Sequence, residues 1–319
     1  MDTRESRQPF QVVLAIAALL VIAGTLTLRT VAHPALLQPS SDNPTPLGYT
    51  WSLLLFIIPI AALGWWFTSR PDLKFPRAAF WRTIAVLAPV GFLLDLLFGN
   101  AFFVFPNKPA TLGIDIPARG GAIPIEEFVF YLTGFMLVLL SYIWCDEYWM
   151  AAYNVPDYEA ASKGMPRIVR FHSASVILGL VLIAGAVVYR KLFSGTSAGF
   201  PWYFIYLTCA SIIPSAGFFK TARSFINWRA FSFTFFLLLL ISLLWEVTLA
   251  LPYGWWRYRD EAMIGLKIGA WSDLPIEAPC VWMAVSFTTV IVYEVIKIWK
   301  ALGRRALSAF FGNADARPD

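Results

Sequence analysis

The sequence PIEEFVFY at residues 124–131 places two adjacent glutamates, Glu126 and Glu127, at the start of an apolar run of membrane-spanning length. The preceding apolar run ends with DLLF at residues 95–98, and a loop rich in glycine, proline and aromatic residues joins the two runs. Ionisable side chains are costly inside a bilayer, so those retained there usually serve a function or face a wet cavity. This stretch therefore indicates a membrane protein with carboxyl groups at a functional site.

The composition supports the same class. Of the 319 residues, 58% are hydrophobic and 14% are charged, whereas a soluble domain carries about 25% charged residues. The net charge of +5 is not gathered into a basic patch, which argues against binding of nucleic acid. Cys145, Cys209 and Cys280 lie in or at the end of apolar runs without metal-site spacing, so we interpret them as small core residues.

Eight apolar runs approach the length that a helix needs to cross the hydrocarbon core. They cover residues 10–28, 47–67, 80–98, 123–145, 172–189, 201–219, 231–251 and 275–299. We interpret the first run as a retained span, since no convincing signal-peptide cleavage site follows it. The fold class that we predict is therefore an all-α integral membrane protein with eight transmembrane helices.

The distribution of basic residues predicts the orientation of these spans. Most of the 25 Lys and Arg residues lie in the termini and in alternate loops on one side, and the positive-inside rule then makes both termini cytoplasmic. The loops at residues 99–122 and 252–274 fall on the outer side. Because both are rich in aromatic and apolar residues, we expect them to dip into the membrane interface and form a lid.

A faint internal repeat relates the two halves of the chain. A shift of 151 positions places Glu246 on Asp95 and the sequence PIEA at residues 275–278 on PIEE at residues 124–127. We therefore predict two four-helix repeats of the same orientation, and membrane proteins of this kind often have their site at the repeat interface. The predicted boundaries are residues 1–150 and 151–300 for the two repeats and 301–319 for a cytoplasmic tail.

Five carboxylates are candidates for acid–base chemistry: Asp95, Glu126, Glu127, Glu246 and Glu277. Pro124 suits the first position of a helix and so puts Glu126 and Glu127 in its first turn, near the positive end of the helix dipole. Carboxyl groups that share an apolar site can keep one member protonated while a neighbour stays ionised. The alternative interpretation is that these glutamates only cap helices at the membrane surface.

Aromatic residues close to these acids form a second candidate set. The members are Phe102, Phe105, Phe130, Tyr131, Trp255 and Trp256. Aromatic faces attract cations, so this set could stabilise a carbocation without offering it a nucleophile. The alternative interpretation is the belt of aromatic residues that many membrane proteins carry at the interface.

Motifs for cofactors and metals are missing from the sequence. It contains no Gly-x-Gly-x-x-Gly fingerprint after a strand, no Walker loop, no aspartate cluster for a magnesium diphosphate and no histidine cluster for a di-iron centre. We therefore expect neither a cofactor nor a metal. Asp146 and Glu147 lie at a predicted cytoplasmic helix end, where we expect them to be solvated.

The stretch at residues 124–131 resembles the membrane-embedded lycopene cyclase domain family. The motif of that family is Pro-x-Glu-Glu followed by aromatic residues, with an upstream acid and a Gly-aliphatic loop, in each of two related units. The first copy matches here, whereas in the second copy Ala278 replaces the second glutamate and PCVW at residues 279–282 replaces the usual aromatic run. The chain is thus similar to a natural fusion of two such units.

The resemblance implies an isomerase of the intramolecular lyase type that needs no redox cofactor. An acid protonates the terminal double bond of a linear polyene such as lycopene, the neighbouring double bond closes a ring, and a base removes a proton to leave a cyclohexene. By this resemblance Glu126 and Glu127 form the acid–base unit, Glu277 is their partner, and Asp95 and Glu246 are supporting or relay acids. The partners implied are the polyene and the lipid bilayer; a homo-oligomer is not indicated.

Two other functions stay open at this point. The same acids and aromatic residues suit a cyclase or a hydratase that acts on another membrane isoprenoid. They also suit a protein without enzymatic activity, such as a proton-coupled transporter or a lipid-binding protein that uses intramembrane acids as proton carriers.

Overall fold

The computed structural model describes residues 46–70, 75–195 and 198–312, together with the isolated positions 18 and 22. Within this part of the chain, seven helices are long and apolar enough to cross a membrane. They are α1 (Gly48–Ser69), α2 (Arg77–Phe102), α3 (Ile125–Trp149), α4 (Ser173–Leu192), α5 (Trp202–Ala222), α6 (Trp228–Ala250) and α7 (Glu277–Leu302). The predicted span at residues 10–28 lies outside the described residues, so the eighth helix and the division into two four-helix repeats stay predictions.

Proline marks where several of these helices begin. Pro76, Pro124 and Pro201 directly precede α2, α3 and α5, where the missing N–H removes nothing from the helix because the first N–H groups have no partner within it. At the other end of the bundle, α7 stops at Gly303, whose φ of 61° is the left-handed conformation that closes many helices.

Helices α3 and α7 form the centre of the bundle. In their most apolar windows 61% and 56% of residues are buried inside the protein, against 22–33% in the other five spans. Helix α7 packs against α2, α3, α5 and α6, and α3 also contacts α1, α2 and α6. Because the glutamate motifs open α3 and α7, the acids lie at the ends of the two best-buried helices.

The outer loops contain short strands, so the prediction of an all-α fold holds for the spans but not for these loops. Three antiparallel pairs are formed: β1 (Phe103–Val104) with β4 (Arg257–Tyr258), β2 (Asp115–Ala118) with β3 (Gly121–Pro124), and β5 (Lys267–Ile268) with β6 (Leu274–Pro275). Gly120, with φ of 82°, closes the tight turn between β2 and β3, a conformation that a side chain would strain.

The pairing of β1 with β4 joins the outer loop of the first half to that of the second. Around it, Arg259 Nε donates to the carbonyl oxygen of Asn100 at 2.7 Å, and Asn107 Nδ2 donates to the carbonyl oxygen of Tyr253 at 2.8 Å. The two loops therefore cover the end of the bundle together. Their position in the membrane interface stays a prediction.

The expectation that Asp146 and Glu147 are solvated is wrong. Asp146 is fully buried, and Lys297 Nζ of α7 lies 3.3 Å from Asp146 Oδ2, 3.3 Å from Glu147 Oε1 and 3.8 Å from Glu294 Oε1. The reason is tertiary: α3, which ends in the π-helical turn Cys145–Trp149, packs against α7, and Lys297 of α7 supplies a buried cation for these carboxylates. We call these four residues the Lys297 cluster.

Two tyrosines complete the hydrogen bonds of this cluster. The hydroxyl groups of Tyr142 and Tyr158 donate to the carboxylate of Glu294 at 3.0 and 2.6 Å. Tyr158 lies outside the spans, and burial, followed by the negative charge of Glu294, raises its pKa well above the usual range. Its hydroxyl therefore keeps its proton and stays a donor.

Candidate functional site

A cavity of about 50 Å³ lies between α3, α6 and α7 beneath the paired outer loops. Nine of its lining residues are aromatic and two, Glu127 and Glu246, are carboxylates; the others are Gly134, Val281 and Val285. Ligand sites are typically concave, mostly apolar and equipped with a few convergent polar groups. The cavity fits this description, with two acids in an aromatic wall.

Glu127 lies in the first turn of α3 and is held by a residue from α1. The hydroxyl of Tyr49 donates a hydrogen bond to Glu127 Oε1, and both side chains are buried. Tyr49 itself is wedged against Trp255 and Trp256, whose rings lie 6.3 and 5.1 Å from its own. Packing of α1 and of the second outer loop therefore sets the position of this carboxyl group.

Glu246 has the corresponding arrangement at the end of α6. It begins a π-helical turn, Glu246–Ala250, and Tyr258 donates a hydrogen bond of 3.1 Å to Glu246 Oε2. Tyr258 lies on β4, so the pairing of the two outer loops positions this donor. Burial, then the charge of Glu246, raises the pKa of Tyr258 well above its usual range, which keeps the hydroxyl protonated.

Asp95 is buried on α2 but is not part of the cavity lining. It interacts with Tyr131, which does line the cavity, and its charge also acts on Glu127. A Cβ at position 99 would lie 2.6 Å from Asp95 Oδ1, so glycine at that position makes room for the carboxyl group. Asp95 is thus connected to the cavity through Tyr131 and does not line it.

Glu126 and Glu277 hold the outer loops instead of lining the cavity. Glu126 Oε1 accepts hydrogen bonds from the Leu112 N–H at 2.7 Å and the Thr50 hydroxyl at 2.5 Å, and Glu277 Oε1 accepts one from the Ile264 N–H at 2.6 Å. Both carboxylates therefore fasten the preceding loop to the start of a central helix. This geometry differs from helix capping at the membrane surface, because the N–H donors belong to the loops and both carboxylates are buried.

Glu126 and Glu277 are not among the residues that line the cavity with Glu127, so the partnership of Glu277 with Glu126 and Glu127 stays a prediction. Neighbouring residues in a helix point about 100° apart, so Glu127 faces the cavity while Glu126 faces its loop. The position in α7 that matches Glu127 is Ala278, which carries no acid. Among the described residues that line the cavity, Glu246 is the second carboxylate, because the end of α6 faces inward.

The six predicted aromatic residues divide into two groups. Phe130, Tyr131 and Trp256 line the cavity. The three that do not line it lie elsewhere: Phe102 packs on Tyr203 at 4.8 Å, Phe105 is half-buried against the main core, and Trp255 lines a separate groove beside α1.

Sequence reasoning missed several residues of the site. Trp245 and Trp282 lie with Phe130 in the aromatic wall, at ring distances of 4.8 Å for Phe130–Trp245 and 5.6 Å for Phe130–Trp282. Each had a signal: Trp245 directly precedes Glu246, and Trp282 matches Tyr131 under the shift of 151 positions. Tyr49 had none, since it is one of many aromatic residues in an apolar run.

The described residues contain no group of three or more His, Cys, Asp or Glu side chains arranged to hold a metal ion. The chemically active groups that line the cavity are two carboxyl groups and the aromatic rings around them. A proton can move between such carboxyl groups and an apolar ligand, and a positive charge formed beside the rings would be attracted to their faces.

Comparison with known proteins gives one match. The family model described as lycopene cyclase matches residues 48–145 and 200–296, which is more than half of the chain. The two matched segments contain α1 to most of α3 and α5 to most of α7, with Glu127 in the first and Glu246 in the second. Searches of curated proteins and of solved structures gave no significant match.

Proposed function

The chain belongs to the lycopene cyclase family, and from this premise we propose that it closes the end group of a linear carotenoid such as lycopene to a cyclohexene ring. The observation that carries the proposal is that Glu127 and Glu246 line one cavity whose wall is otherwise aromatic and apolar. The seven apolar helices indicate an integral membrane protein. A polyene dissolved in the bilayer could therefore enter this cavity.

The reaction needs one group that gives a proton and one that takes a proton. Addition of a proton to the terminal double bond leaves a tertiary cation, the neighbouring double bond attacks it and forms the ring bond, and loss of a proton from the new cation restores a double bond. Atoms and electrons balance without an oxidant or a reductant. We assign the two proton transfers to Glu127 and Glu246, one acting as acid and the other as base.

The tyrosines support this pair by orienting it. Tyr49 and Tyr258 each donate to one carboxyl group, so one oxygen of each is held in place by its donor. One turnover moves a proton from one carboxyl group to the other, and the pair must exchange that proton before the next turnover. Asp95, which interacts with the cavity residue Tyr131, is our candidate for a relay in this exchange.

The aromatic wall supports ring closure over competing reactions of the cation. Trp245 and Trp256 lie with ring centroids 4.6 Å apart, and Phe130 lies 4.8 Å from Trp245. These faces attract a positive charge by about 0.5–2 kcal/mol each, and they carry no nucleophile that would trap it. A hydratase would instead need room for water beside the cation, so we favour the cyclase.

Pigment analysis tests the proposal. In cells that accumulate lycopene, expression of the chain should convert it into a product of the same mass with a shorter conjugated chromophore, because ring closure twists the terminal double bond out of conjugation. Cells that carry the empty vector are the control, and chromatography with absorption and mass spectra is the measurement. Unchanged lycopene at a verified protein level, or a product heavier by one water, would contradict the proposal.

We also propose that both termini are cytoplasmic, which puts the cavity acids near the outer face. The excess of Lys and Arg in the termini and alternate loops supports this orientation. A topology reporter fused after Asp319 should then give the opposite signal to one inserted in the loop at residues 99–122. Equal signals from the two fusions would place both sites on the same side of the membrane and so contradict this orientation.

A further inference from the structure

The cavity extends from its two acids toward the middle of the bundle. Along α3 its lining continues from Glu127 to Gly134, and along α7 it reaches Val285. Seven residues of helix separate Glu127 from Gly134, which corresponds to about 10 Å at 1.5 Å per residue. The lining residues therefore follow the two central helices, with Gly134 and Phe135 on α3 furthest from the acids.

Gly134 is unlike the glycines that helix packing requires. A Cβ built at Gly91 would lie 3.1 Å from Phe135, and one at Gly99 would lie 2.6 Å from Asp95, so neighbouring side chains fill the space at those positions. A Cβ at Gly134 would meet no atom within 4 Å, although the residue is buried. The space beside Gly134 is thus part of the cavity and is not filled by the protein.

Glycine inside a helix lowers its stability relative to alanine, and nothing in the packing around position 134 excludes a methyl group. The position that matches it under the shift of 151 residues is Val285, which has a side chain on the opposite wall of the same cavity. At this depth α3 therefore presents no side chain to the cavity, whereas α7 presents Val285. An open space that the fold does not need fits a ligand chain.

We propose that Gly134 is a specificity-determining residue that leaves room for the unreacted chain of a long, linear isoprenoid. The inference rests on the proposed function: the end group lies beside Glu127 and Glu246, and the chain behind it passes Gly134 toward the lipid. The ligand class is an apolar, linear polyene whose chain continues beyond the end group that reacts. A compact ligand would occupy only the space beside the acids.

Substitutions of graded size at this position test the inference. Gly134→Ala adds one methyl group and Gly134→Leu fills the passage, so kcat/KM for lycopene should fall in that order, by about tenfold or more for leucine given what one misplaced methylene does in an apolar pocket. The loss should lie mainly in KM, because position 134 is remote from the proton transfers. Gly185→Ala and Gly185→Leu are the controls for a side chain added to a helical glycine: a Cβ at Gly185 on α4 also meets nothing within 4 Å, and Gly185 is exposed and outside the cavity.

The outcomes separate this inference from the proposed function. If the wild-type chain does not convert lycopene, the proposed function fails, whatever the variants do. If it does convert lycopene and Gly134→Leu keeps the kcat/KM of the Gly185→Leu control, the inference is overturned while the function stands. A lower kcat with unchanged KM would also overturn it. Thermal unfolding of Gly134→Ala, which should occur no lower than in the wild type, shows that the protein is folded.

Discussion

Glu127→Gln is expected to lower the rate of ring closure by at least about two orders of magnitude, the contribution that general acid–base catalysis typically makes. The substitution keeps the size of the side chain, and its amide oxygen can still accept the hydrogen bond from Tyr49. The fold should therefore persist while the carboxyl group that exchanges protons is lost. The measurement is the initial rate of product formation in membranes that contain equal amounts of each protein.

Two further variants decide which glutamates belong to the reaction. Glu246→Gln should lose activity to the same extent as Glu127→Gln, because Glu246 is the second acid of the cavity. Glu277→Gln is the matched control: its amide oxygen can still accept from the Ile264 N–H, so the loop stays fastened and turnover should stay near that of the wild type. A loss in Glu277→Gln as large as that in Glu127→Gln would instead favour the partnership expected from the sequence.

Lys297→Met is expected to destabilise the protein by about 3–5 kcal/mol, as removal of one partner from a buried ion pair typically does. The substitution leaves Asp146, Glu147 and Glu294 close together without their cation, and Asp146 and Glu294 are fully buried. The measurement is denaturant-induced unfolding in detergent. Activity is not the readout, since the Lys297 cluster lies away from the cavity.

The control for this prediction is an ion pair of similar length at the surface. Lys267 lies 2.9 Å from Asp260, with side chains 39% and 70% exposed, so Lys267→Met should change stability by only about 0–1 kcal/mol. Equal effects of Lys297→Met and Lys267→Met would mean that the cluster does not hold α3 to α7. Partial recovery in the double variant Lys297→Met with Asp146→Asn would support the role of the uncompensated charge.

The sequence predicted the spans well because length and apolarity alone determine which segments can cross a bilayer. The seven described spans coincide with predicted runs, and the helix that starts after Pro124 was predicted from the proline and the two glutamates. Of the predicted site acids, Glu127 and Glu246 line the cavity and Asp95 interacts with the lining residue Tyr131, while their chemical roles stay predictions.

What failed was the direction in which individual side chains point. Glu246 and Asp146 both belong to π-helical turns, which shift the facing of residues at a helix end and leave no signature in the hydrophobic pattern. Glu126 and Glu277 match in sequence, and each accepts a hydrogen bond from the loop that precedes its helix, which the sequence pattern alone does not show. The contact of Tyr49 with Glu127 spans 78 residues, a tertiary contact that no local pattern encodes.

The pairing of β1 with β4 has a consequence for how the rate of this protein depends on its surroundings. Phe103 and Tyr258 lie on those strands and line the cavity, so the paired loops form part of its wall. Val281 and Val285 of α7 also line the cavity and are only half-buried. We therefore expect the substrate to enter from the lipid, past α7. For a substrate that enters from the lipid, the concentration that determines the rate is its mole fraction in the lipid. Dilution with empty lipid should then slow the reaction, whereas dilution with buffer should not.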